Sequence, residues 1–158
     1  MKKLLIAAAA FMLFSVSAKA QVVTSGNLRN LVDKRNVNVV FDYSETKLIR
    51  SDKTVEELVA TDPQFAKEKA RDEKYCLGSL NDEIKEMLYF GSYDNPDAVL
   101  TFQVSHIRND FENPRFIVRI TDAEGIEIAV IENIETEDFN DAGHSLGKFL
   151  YKQLKRLK

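Results

Sequence analysis

The side chains with the clearest catalytic potential are one cysteine and two histidines. Cys76 is the only cysteine in the chain, and His106 and His144 are the only histidines. A thiol beside an imidazole can act as a nucleophile, with the histidine as its base. Such a thiol has to be exposed in an electropositive setting to be reactive.

The surroundings of Cys76 favour a structural role. At about 100° per residue, Cys76 shares one face of a predicted helix with Phe65, Leu80 and Met87. A cysteine on an apolar stripe packs as a small hydrophobic side chain. We therefore expect Cys76 to be buried. A catalytic thiol and an exposed thiol that pairs with another molecule are the alternatives.

A second candidate is a metal site at the end of a predicted strand. His106 precedes a polar loop with Asp110 and Glu112, and Asp94 and Asp97 could approach the same edge. Imidazole together with carboxylates suits zinc or manganese. One histidine with scattered acids is also ordinary for a polar loop, so we predict no metal site and no cofactor.

The segment DFNDAG resembles the start of a calcium-binding loop through Asp138, Asn140 and Gly143. An EF-hand loop also needs a ligand at its fifth position and a glutamate at its twelfth. This chain has Ala142 and Phe149 there. We interpret the segment as a helix cap, and the sequence identifies no catalytic residue.

The closing helix carries a basic face. Its apolar stripe consists of Phe139, Leu146, Leu150, Leu154 and Leu157. The segment 142–158 contains no acid, and its bases are Lys148, Lys152, Lys155, Arg156 and Lys158. This face could make a weak contact with an anionic envelope surface. A solvated face over a core-packed stripe is the alternative.

Residues 1–20 have the three parts of a secretory signal. Two lysines precede the mostly apolar stretch 4–16, and Ala18-Lys19-Ala20 supplies small residues at the cleavage positions. We expect cleavage before Gln21 and a periplasmic or secreted protein. No cysteine lies near that position, so a lipoprotein is not expected. Removal of this segment changes the net charge from −3 to −6, which argues against nucleic-acid binding.

Four segments show the alternation of apolar and polar residues that is typical of strands: 37–43, 98–107, 115–121 and 126–134. In the last of them, Ile126, Ile128 and Val130 are expected to share one face. The residues from Asp122 to Gly125 predict a hairpin turn. The segment 21–36 has no clear periodicity, and we expect an irregular arm with one helical turn near Leu28.

Helices are predicted between and after these strands. Thr54 and Glu57 form a capping box, and Asp62-Pro63 begins a second helix. The second helix is expected to run to Phe90 and to end at Gly91. In the closing helix, Gly143 and Gly147 would allow a close approach to the sheet.

The predicted fold is α+β, with a single domain over residues 37–158. A strand, helices, a three-strand meander and a helix follow one another along the chain. This order predicts a mainly antiparallel four-stranded sheet with helices packed on one face.

Three segments together resemble a group of small exported proteins of unknown function from Bacteroidetes-type bacteria. They are VNVVFDYSETKL, DAVLTFQVSHI and DAGHSLGKFLYKQLKRLK. They match the family's V-x-F-D-Y-S strand, its next strand and its closing A-G-x-x-L-G-K helix. The family's Pro-Gly pair after the first meander strand is missing from the loop 108–114. The resemblance implies the fold and export, and it implies no activity.

The sequence therefore favours a non-catalytic binding or structural module of the cell envelope. The expected partner is another protein or an envelope component, and no transmembrane segment is expected after signal cleavage. Two alternatives remain: an enzyme that uses Cys76 with a histidine, and a membrane-surface protein that uses the basic closing helix.

Overall fold

The computed structural model describes residues 20–108 and 110–158. Residues 1–19 of the predicted signal lie outside the described residues. The strands are β1 (Val22–Gly26), β2 (Asn36–Asp42), β3 (Lys47–Ile49), β4 (Tyr89–Gly91), β5 (Ala98–Arg108), β6 (Arg115–Asp122) and β7 (Glu127–Glu135). The helices are α1 (Val55–Thr61), α2 (Pro63–Ile84) and α3 (Phe139–Leu157), with a 3-10 turn at Leu28–Leu31. None of these helices is long and apolar enough to cross a membrane.

The sheet is mixed. Its strand order is β1-β7-β6-β5-β2-β4, and β3 also pairs with β5. Strands β5, β6, β7 and β1 are antiparallel neighbours, whereas β2 is parallel to both β4 and β5. The α+β prediction is thus confirmed, but the mainly antiparallel four-stranded sheet is wrong in detail. The chain returns from β2 to β5 through two helices, and such a crossover produces parallel strands.

Three short strands escaped the sequence prediction. In the segment 21–36, predicted as an irregular arm, β1 pairs with β7 and the turn Leu28–Leu31 follows it. Strand β1 has no apolar alternation because four of its five residues are exposed at the sheet edge. Strands β3 and β4 have three residues each, which is too short for a periodic signal.

Helix α2 ends earlier than predicted. Its last residue is Ile84, and Lys85 and Glu86 follow with φ angles of 50° and 62°. This left-handed backbone stops the helix and turns the chain into β4, which contains Phe90 and Gly91. The predicted start is confirmed, since the Asp62 side chain accepts bonds from the N–H groups of Gln64 and Phe65.

Strand β7 departs from the predicted one-sided alternation. Ile128 and Val130 are buried as expected, at 4% exposure each, but Ile126 precedes the strand and residues of the other face are buried as well. Ala129, Ile131 and Ile134 are fully buried, whereas Ile126 is 66% exposed. Irregular pairing between β6 and β7 and a φ angle of 62° at Asn133 shift the alternation. Each one-residue bulge moves the following side chains to the other face of a strand.

A chain of phenylalanine rings connects the sheet with α3. Phe41 of β2 stacks on Phe102 of β5 with 5.0 Å between ring centroids. Phe116 of β6 contacts Phe102 at 5.4 Å and Phe139 of α3 at 5.1 Å, both edge to face. Because aromatic contacts of this geometry add to area burial, they fix α3 on this face of the sheet.

Helices α2 and α3 pack against each other through the two glycines of α3. A Cβ atom at Gly143 would overlap the Cys76 carbonyl oxygen and lie 2.8 Å from its carbonyl carbon. A Cβ atom at Gly147 would lie 2.6 Å from the Cβ of Glu83. The glycines therefore permit close approach between two helices, and the prediction that they face the sheet is wrong.

Candidate functional site

Cys76 lies at this helix contact. It is fully buried. Burial, with the nearby Glu73 carboxylate, raises the pKa of its thiol far above the ordinary value. A neutral, inaccessible thiol is a poor nucleophile. Cys76 occupies the position expected of a packing residue.

The two histidines lie on different elements and have different partners. His106 is half-buried at the end of β5, and its Nδ1 atom lies 3.2 Å from the Ser105 hydroxyl. His144 Nδ1 lies 2.8 Å from Glu83 Oε1 and connects α3 to α2. Each ring therefore has its own contact, with Ser105 for His106 and with Glu83 for His144.

Three of the four acids of the candidate metal site, Asp97, Asp110 and Glu112, have structural partners. Arg108 lies 3.5 Å from both Asp110 and Glu112 in salt-bridge geometry. Asp97 Oδ2 accepts 2.9 Å hydrogen bonds from the N–H groups of Arg35 and Asn36. Across residues 20–108 and 110–158, no group of three or more histidine, cysteine or acidic side chains is placed to hold a metal ion.

The DFNDAG segment caps α3. The Asp138 side chain accepts a 2.7 Å hydrogen bond from the Asp141 N–H, and Asn140 contacts the Ser79 hydroxyl of α2. The helix-cap interpretation is confirmed. The basic residues of α3 are exposed as predicted, and Lys155 lies over the Tyr151 ring at 5.7 Å.

A concave surface lies elsewhere, between β2 and α1. This groove has a volume of about 610 Å³. On the β2 side it is lined by the five consecutive residues 40–44, and on the α1 side by Val55, Glu56, Val59 and Ala60. Successive side chains of a strand point to opposite faces. Three of the five, Val40 to Asp42, belong to β2, and a groove that touches three consecutive strand residues runs along the strand's edge.

Tyr43 is one of the residues that line the groove. Tyr43 is buried, and Lys69 Nζ lies 4.6 Å from its ring centroid. The same ammonium group is 2.6 Å from Glu73 Oε1, so its charge is compensated. Burial and the Glu73 carboxylate raise the pKa of Tyr43, which keeps the phenol neutral at physiological pH.

Two apolar side chains at the groove are exposed. Val40 is 46% exposed and Val59 is 37% exposed, on opposite walls. Asp42 and Glu56 carry the uncompensated charges, because neither forms a salt bridge within the described residues. A hydrogen bond from the Ser44 N–H lowers the pKa of Asp42, so its carboxylate stays ionised.

The edge of β2 is open along this groove. Strand β4 pairs only with the residues from Asn36 to Asn38, and within the described residues no strand continues that side of the sheet beyond Asn38. The Arg35 carbonyl accepts from Tyr89 N–H on the β4 side, whereas the Asn36 carbonyl accepts from Asp97 N–H on the β5 side. Backbone groups alternate along a parallel strand. Phe41 therefore directs its N–H and C=O to the open side.

The sequence prediction did not find this groove. The alternation of the segment 37–43 puts Val40 on the same side of the strand as Asn38 and Asp42, and one valine among polar residues is the only signal in the sequence. The position of α1 beside the edge depends on tertiary packing. No family model, curated protein or solved structure matches the chain.

Proposed function

We propose that the protein is an exported, non-catalytic binding module of the cell envelope, and that the groove between β2 and α1 is its binding site. The observation that carries this proposal is the combination of an apolar concave surface with exposed valines on both walls. Binding sites are commonly concave and apolar with a few polar groups. The groove has this composition.

The positions of the thiol and the histidines support binding over catalysis. Cys76 lies under Gly143 at the helix contact, and His144 is bonded to Glu83. An enzyme that used this thiol would have to separate α2 from α3 to expose it. The groove needs no such rearrangement, because it is already open to solvent.

Export is part of the proposal and rests on residues 1–20. Mass spectrometry of the protein recovered from the producing cells should give a chain that begins at Gln21. A recovered chain that retains Met1 would contradict export by this route.

The binding site is tested by amide chemical shifts during titration with small apolar fragments. We expect saturable shifts that cluster at residues 40–44 and 55–60. Val59→Lys should abolish these shifts. Ile126→Lys should leave them unchanged, because Ile126 is 66% exposed on the β6–β7 hairpin. Shifts that persist in the Val59→Lys variant, or that cluster elsewhere, would show that this groove is not the binding site.

A further inference from the structure

We propose that the occupant of the groove is an extended peptide segment with alternating apolar side chains and at least one basic side chain, which adds to the sheet as a strand beside β2. This inference rests on the proposed function of the groove. It adds the class of partner and the mode of binding.

The backbone of β2 carries the first part of the argument. Unpaired N–H and C=O groups along a strand edge are a template for another extended chain. Strand β4 ends beside Asn38, and the groove begins at Val40. Phe41 lies within the groove and directs its backbone groups to the open side. An added strand would continue the edge at the point where β4 leaves it.

The walls of the groove favour alternating apolar side chains in the peptide. Side chains of an added strand alternate between the two faces of the sheet. On one face they would meet Val40 and its cross-strand neighbour Thr101, and on the other they would meet α1 at Val55 and Val59. Both sets of contacts favour short apolar side chains.

The charges at the groove favour a basic side chain in the peptide. The uncompensated charges at the groove are Asp42 and Glu56, because Lys69 is paired with Glu73. A lysine or arginine of the peptide could reach these carboxylates at the rim. An acidic peptide would be repelled by the same groups, so the groove discriminates between peptides by charge.

The test uses one synthetic hexapeptide that alternates valine with threonine and carries a single lysine. Its first counterpart has glutamate in place of lysine, and its second has N-methyl groups on the backbone. In a titration followed by amide shifts, the lysine peptide should perturb Val39 to Tyr43. It should bind roughly threefold more tightly than the glutamate peptide at low salt, as expected for an exposed ion pair. The N-methyl peptide should not bind, because it lacks backbone donors.

Matched variants test whether the two carboxylates at the groove cause the difference in affinity between the peptides. Asp42→Asn with Glu56→Gln should bring the lysine and glutamate peptides to equal affinity. Glu124→Gln, an exposed acid on the distant hairpin, should leave their ratio unchanged. Equal binding of both peptides to the unmodified protein, or full binding of the N-methyl peptide, would overturn the inference.

Two further outcomes distinguish this inference from the proposed function. If apolar fragments bind the groove but none of the peptides does, the strand-addition inference fails and the binding site stands. If neither fragments nor peptides bind, both fail. A concentration-dependent dimer that Val40→Lys abolishes would assign the edge to a second copy of the chain and would also overturn the inference.

Discussion

Gly143 of α3 lies directly against the backbone of Cys76 of α2, so that a Cβ atom at position 143 would be 2.8 Å from the Cys76 carbonyl carbon. The neighbouring atoms belong to helix backbone, which cannot move aside without displacing α2. The contact between these residues therefore sets the separation of the two helices. It also seals the only thiol of the chain inside the fold.

The first prediction follows from this contact. Gly143→Ala should lower the free energy of unfolding by about 2 kcal/mol or more, because the added methyl group overpacks the helix interface. Gly78→Ala is the matched control in α2, where an added Cβ meets nothing within 4 Å. It should raise stability by about 0.5–1 kcal/mol through helix propensity. Urea denaturation of both variants measures the difference, and equal effects would contradict the close contact.

The second prediction concerns the reactivity of Cys76. Because burial raises the pKa of its thiol, a thiol reagent should label Cys76 slowly in buffer and rapidly in denaturant. Cys76→Ala should cost about 1 kcal/mol through lost packing. Cys76→Ser should cost more if its hydroxyl finds no partner. Fast labelling of the native protein would return the thiol enzyme to consideration.

The third prediction concerns the loop between β5 and β6, which the sequence presents as polar. Phe111 is 1% exposed, and its ring lies 4.7 Å from Phe65 and 5.8 Å from Phe139. Phe111→Ala should therefore cost about 3–5 kcal/mol. Glu112→Ala, which removes only an exposed salt bridge to Arg108, should change stability by less than about 0.5 kcal/mol. A small effect of Phe111→Ala in thermal unfolding would show that the loop is not anchored.

The fourth prediction concerns acid stability. The N–H groups of Asn36 and Arg35 lower the pKa of Asp97 below its ordinary value of 3.8. The ionised carboxylate therefore stabilises the folded state above pH 3.8, and this contribution is lost as the pH falls through the lower folded pKa. Asp97→Asn should be less stable than the unmodified protein at pH 7, and the two stabilities should converge in acid. A difference that stays constant from pH 7 to pH 3 would contradict this role.

The sequence predicted those parts of the fold that depend on local periodicity and capping. The alternation in β5 and β6, the Thr54 capping box and the Asp122–Gly125 hairpin all follow from neighbouring residues. The shift in β7 could not be predicted, because a bulge changes the face of every following side chain. The pairing of β1 with β7 joins residues about a hundred positions apart and leaves no periodic pattern in β1.

The candidate site was harder to predict than the fold because it lies where no described strand pairs with the outer edge of β2. Val40 and Val59 lie on separate elements, and neither has a chemically distinctive side chain. The residues that attract attention in the sequence, Cys76 and the two histidines, have local structural partners instead. The groove becomes visible only when the end of β4 is known.

The open edge of β2 is the feature on which the proposed addition of a peptide strand depends, and residue-resolved hydrogen exchange tests it without any ligand. Val37 and Phe41 belong to the same strand and direct their backbone groups to the same side, but only Val37 lies beside β4. We predict that the Phe41 amide exchanges much faster than the Val37 amide in the free protein, and that it becomes protected when the lysine peptide binds. Equal and strong protection of both amides in the free protein would show that the edge is already covered, and it would contradict the addition of a peptide strand beside β2.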